Sequence, residues 1–73
     1  MEGILAWNND KLMLRHIVKG EYSFDPIAVG QFLDVFQNGY WRRTQVQSVQ
    51  EEPFFENWNY GNGIGCEART VEE

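Results

Sequence analysis

The apolar positions of this 73-residue chain change their period along its length. Beyond Asp25-Pro26, Val29, Phe32, Leu33 and Phe36 recur at helical spacing on one face, with Gln31 and Asp34 pointing away. Asp25 is placed to cap the free amides of a helix, and Pro26 suits its first turn. Asn38-Gly39 supplies a left-handed stop. The spacing therefore predicts a helix over residues 26–37, in which Gly30 costs up to ~1 kcal/mol relative to alanine.

Upstream, Ile4 to Trp7 predicts a short strand ending at Asn8-Asn9-Asp10. Residues 11–19 admit two readings. As a strand, Leu12, Leu14, His16 and Val18 share a face; as a helix, Met13, Leu14, Ile17 and Val18 cluster, with Asn9 or Asp10 as cap and Gly20 as stop. The hairpin residues Asn8-Asn9 and the β-branched pair Ile17-Val18 favour the strand. Tyr40 to Val49 has strand-like content in a polar setting, as an edge strand with one wet face would. Pro53 ends regular structure, and ENWNYGNGIG follows neither period. The expected architecture is α+β: a single small domain with one main helix packed on a short antiparallel sheet. Residues 1–52 form its folded body, and residues 53–73 a flexible, acidic, aromatic and glycine-rich segment.

Length and composition narrow the function. A chain this short is one domain at most, with a core worth roughly 3–5 kcal/mol net. An apolar content of 42% with 15% aromatics is too rich for full disorder. A single cysteine, Cys66, excludes an internal disulfide and favours a reducing compartment. The opening MEGILAWNND has an acid at Glu2 and no long apolar run, so it does not read as a signal peptide. No stretch approaches the ~20 apolar residues of a membrane span. A soluble, intracellular protein is expected, acting as a monomer.

Charge is divided unevenly. Lys11, Arg15, Lys19, Arg42 and Arg43 balance Glu2, Asp10, Glu21, Asp25 and Asp34, so residues 1–49 are neutral. Glu51, Glu52, Glu56, Glu67, Glu72 and Glu73 face Arg69 alone, which leaves the whole net charge of −5 in residues 50–73. With pI ≈ 4.7, nucleic acid and anionic lipid are poor ligands, since both require a basic footprint. Beside the acids stand Phe54, Phe55 and Trp58, a pattern of aromatic anchors within a charged rim. Glu51, Glu52, Phe54, Phe55, Glu56 and Trp58 are thus candidate partner-binding residues, although Phe54 and Phe55 would serve equally to complete a small core. Arg42 and Arg43, beside Tyr40-Trp41, are the competing contact face. They are read as solvated or paired to the acidic segment rather than as a nucleic-acid site.

Nothing here assembles an active site. His16, the lone histidine, reads as a partly buried strand residue; Cys66 has Glu67 beside it, which opposes a thiolate. Gly61, Gly63 and Gly65 lack the spacing and flanking elements of a dinucleotide loop. Neither cofactor nor metal is expected, and no nucleophile, base and orienting group come together.

The opening MEGILAWNND, the length from Met1 to Glu73, and a neutral body followed by acidic EEPFFENW resemble the small regulators that lytic phages make to bind host RNA polymerase. That resemblance implies contact with the polymerase β′ amino-terminal region and the neighbouring β flap, in the host bacterial cytoplasm. It further implies σ displacement, which blocks initiation, and antitermination during elongation. The alternative is an inhibitor of a host defence or nucleic-acid enzyme, of anti-CRISPR or DNA-mimic type. A DNA mimic spreads carboxylates over an ordered face, whereas here they gather at one end.

Overall fold

A computed structural model describes residues 1–71; Glu72 and Glu73 lie outside the described residues. The chain forms β1 (Glu2–Asn8), β2 (Lys11–Val18), β3 (Glu21–Pro26), β4 (Phe32–Gln37), β5 (Tyr40–Gln45) and β6 (Glu67–Thr70). All six pair antiparallel in one sheet of order β3-β2-β1-β6-β4-β5. There is no helix among the described residues. The fold is all-β, and the α+β expectation is corrected.

Turn chemistry explains the meander. Asn9-Asp10, Lys19-Gly20 and Asn38-Gly39 each supply two consecutive residues at positive φ (51° and 59°, 52° and 81°, 51° and 84°). Such two-residue turns match the right-handed twist of paired strands. They set the registers Asn8↔Lys11, Val18↔Glu21 and Gln37↔Tyr40. The expected helix fails at this point. Asn38-Gly39 has the left-handed geometry of a helix stop and of a hairpin turn alike, and its use here is to fold β5 onto β4. Asp25 is no cap: it lies in β3, opposite Leu14.

Strand alternation then reassigns the core. Leu33 and Val35 are fully buried, while Phe32, expected inside, is 43% exposed. Leu5, Leu12, Leu14 and Ala68 line the same inner face, and Ile27, Val46, Phe54 and Phe55 come from connections to close it. The segment between β5 and β6 thus forms the second layer that a small sheet needs. Its path is pinned by backbone bonds: Val46 N–H to Gln31, Gln47 N–H to Phe54, Glu56 N–H to Gln45 and Leu12 N–H to Val49 (2.7–3.0 Å).

The expected flexible C-terminal segment is also corrected. β6 sits at the centre of the sheet, pairing β1 through Gly3↔Ala68 and β4 through Val35↔Ala68. The glycine run delivers it there. Gly63 is buried at φ 78°, and a Cβ on it would meet the Phe55 ring at 2.6 Å. Gly65 N–H then bonds Leu5 C=O, and Leu5 N–H bonds Cys66 C=O, at 2.7 and 2.9 Å.

Phe55→Ala is expected to destabilise by about 3–5 kcal/mol, whereas Phe32→Ala should cost under ~1 kcal/mol. Urea unfolding of the two variants checks the strand assignment, since a helix would reverse the order. Gly63→Ala combines a positive φ with the clash on Phe55 and should cost about 2–4 kcal/mol; Gly61→Ala, in open space, should cost only ~1–2 kcal/mol. Thermal midpoints of this pair decide whether the run is packed.

Candidate interaction surface

A single sheet has two faces, and among the described residues only one is covered. Alternation turns Ile4, Arg15 and Ile17 outward from β1 and β2, and Tyr22 and Phe24 from β3. Phe32, Asp34 and Phe36 from β4, with Trp41 and Arg43 from β5, continue the same outer face. Several remain well exposed: Ile17 67%, Tyr22 64%, Phe32 43%, Trp41 38%. Such a concentration of large apolar groups makes this open face the candidate contact surface.

Charges organise this face. Asp34 Oδ1 accepts from Arg43 Nε at 3.0 Å, and Oδ2 accepts from Arg69 Nε at 3.3 Å. Cross-strand register makes this possible, because Asp34 lies opposite Arg43 on β5 and Arg69 on β6. Arg69 in turn lies over Trp41 at 4.1 Å from its ring centroid, and Trp41 meets Phe36 edge-on at 5.3 Å. At the far side Arg15 lies over Tyr22 at 4.7 Å. Between the two arginine–aromatic pairs is a hollow of ≈ 420 Å³, walled by Ile4, Ile17, Tyr22 and Trp41. The hydrogen bond from Arg43, aided by Arg69, holds the Asp34 carboxyl below the usual carboxylate range, against the opposing effect of its burial.

The sequence-derived candidates are dispersed. Phe54 and Phe55 are 4% and 1% exposed, so they complete the core and cannot serve as anchors without opening it. Trp58 packs on that core edge-on to Phe55 (5.4 Å) and Tyr60 (5.0 Å). Glu51, Glu52 and Glu56 are exposed on the covering layer. Arg43 pairs with Asp34 rather than with the acidic segment, and Arg42 lies over Tyr60 at 4.5 Å. A second hollow of ≈ 320 Å³ adjoins Arg42, Trp58 and Tyr60 at the β5 edge. What was missed is the outer aromatic group. Its signal was the alternation in Phe32-Leu33-Asp34-Val35-Phe36, masked because both faces carry apolar residues.

His16 Nδ1 lies 3.2 Å from Asp25 Oδ2, an ion-pair distance without hydrogen-bond alignment. Among the described residues, no three His, Cys, Asp or Glu side chains are grouped to hold a metal ion. No helix there is long and apolar enough to cross a membrane. Neither a protein-family model, nor a curated protein, nor a solved structure matches the chain.

Asp34→Asn should cost about 1–2 kcal/mol at neutral pH, since two charge-assisted bonds are lost. The carboxyl is depressed below its unfolded value of ~3.9. Its stabilisation is therefore complete above that value and lost as pH falls through the lower folded pKa. Stability–pH curves of the two proteins should converge in acid; a gap that stays constant as pH falls would contradict the pairing.

Proposed function

We propose that this protein is a non-enzymatic, phage-encoded regulator that docks on host bacterial RNA polymerase in the host cytoplasm. By occupying the β′ amino-terminal region and β flap it blocks σ-dependent initiation and promotes antitermination. The observation that carries the docking reading is the uncovered sheet face bearing Ile17, Tyr22, Phe32, Phe36 and Trp41. The polymerase and its two contact regions come from the sequence resemblance. Aromatic and arginine side chains dominate binding energy at protein interfaces, and Trp41 with Arg69 supplies such a pair already stacked. Glu51, Glu52 and Glu56, exposed on the opposite layer, add a negative field that draws the protein to a basic surface without forming the anchor.

Two kinetic effects separate these roles on immobilised polymerase core enzyme. Trp41→Ala should shorten the lifetime of the complex by a factor equivalent to ~2 kcal/mol. Reversing Glu51, Glu52 and Glu56 to lysine should slow association and flatten its salt dependence while leaving dissociation unchanged. Run-off transcription should show loss of σ-dependent initiation in proportion to occupancy. Absence of polymerase binding by the unaltered protein would end this reading.

A further inference from the structure

The sheet has two free edges, and the molecule treats them differently. In an antiparallel hairpin closed by a two-residue turn the closing pair is hydrogen-bonded, and the bonding then alternates. The pair Val18↔Glu21 therefore turns the backbone groups of Glu21, Ser23 and Asp25 toward β2, and those of Tyr22 and Phe24 away from the sheet. By the same rule Gln37↔Tyr40 turns Trp41, Arg43 and Gln45 outward on β5. The β5 edge is guarded. Gln45 C=O accepts from Glu56 N–H at 3.0 Å, Val46 bridges to Phe55, and Arg42 and Arg43 set charges along its middle. Charge and cover of this kind are how natural sheets prevent unwanted pairing.

β3 lacks such cover, and its own charges, Glu21 and Asp25, are both acidic. Among the described residues no segment is laid along it, and it carries no lysine or arginine between Glu21 and Asp25. It ends a hairpin arm that outruns its neighbour: Ile4↔Arg15 is the last pair of β1 with β2, so residues 16–18 have only β3 beside them. The arm exposes Val18 on one face and Ile17 and Tyr22 on the other.

We infer that the β3 edge receives an extended segment of a partner protein as an added antiparallel strand, one that alternates basic with apolar side chains. This inference rests on the protein-docking reading above and names the part of the partner that is held. The free N–H and C=O groups of Tyr22 and Phe24 supply the main-chain pairing, and alternate side chains supply selectivity. Apolar side chains of the incoming strand lie beside Tyr22 and Phe24 on the outer face. Lysine or arginine lies beside Glu21 and Asp25 on the inner one. Charge also rejects a second copy. Two β3 strands paired about Ser23, the register that uses all four free groups, place Glu21 opposite Asp25 twice, and like charges directly opposite destabilise.

The test uses the isotope-labelled full chain with a short peptide alternating lysine and valine, and its glutamate–valine counterpart. The lysine peptide should slow hydrogen exchange at the Tyr22 and Phe24 amides and confine shifts to β2 and β3. The glutamate peptide should bind about tenfold more weakly or worse. Tyr22→Pro removes an amide that makes no bond within the sheet, and it should abolish binding with the remaining spectrum intact. Should that variant not fold, Glu21→Lys, at an exposed position, should weaken the lysine peptide and strengthen the glutamate one. Equal binding of both peptides, shifts centred on β5, or self-association through β3 would overturn the inference. Polymerase binding by the unaltered protein and by Tyr22→Pro alike would overturn it too, while leaving the docking function standing. Failure of the unaltered protein to bind polymerase would sink that function instead, with the peptide titration still deciding the edge.

Discussion

The fold depends on a four-residue strand inserted late. β1, β2 and β3 form one meander and β4 with β5 forms one hairpin; β6 joins them by pairing β1 on one side and β4 on the other. Ala68 is the centre of this junction, fully buried between Gly3 and Val35. On the other side of β1, a Cβ on Gly3 would clash with the Arg15 carbonyl oxygen of β2, so the glycine lets those two strands approach. Because β6 is the last strand in sequence, the meander and the hairpin, each built from local contacts, become one sheet only through a strand distant from β1 in the chain. Non-local pairing of this kind delays the reward for loop closure.

That junction also determines what is buried. To reach the centre of the sheet, the chain after β5 crosses the inner face and drops Val46, Phe54 and Phe55 onto Leu5, Leu12, Leu14, Leu33 and Val35. So small a molecule has material for one covering layer only. The other face is left with its aromatic and arginine side chains in water, tied together by Asp34. The exposed aromatic face is thus a consequence of the architecture: Phe54 and Phe55 of the acidic segment fill the core, and the strand aromatics Tyr22, Phe32 and Trp41 stay in water.

How far the sequence was legible follows from which residues carry a local signal. The strand over Ile4–Trp7 and the strand reading of residues 11–19 correspond to β1 and β2, because alternation there is backed by turn residues with obligatory backbone geometry. The wet edge strand read in Tyr40–Val49 corresponds to β5, shortened to Gln45. The region from Asp25 to Gly39 was misread. Val29, Phe32, Leu33 and Phe36 satisfy a helical period, while Leu33 and Val35 alone satisfy the strand that forms. Cap and stop residues do not discriminate, since aspartate, proline, asparagine and glycine serve both structures.

Residues taken singly or summed place the net charge in residues 50–73 and put asparagine and glycine where the chain turns. Which aromatics are core and which are surface is set by packing between distant segments. Phe54 and Phe55 sit in a stretch without period, so their burial is set by a partner layer that no local pattern encodes. Phe32, Phe36 and Trp41 are exposed because no segment among the described residues covers the second face of the sheet. Burial of a side chain is a property of two elements in contact, and the contact here is made across more than half the chain, between Leu5 and Phe55 by way of Gly63.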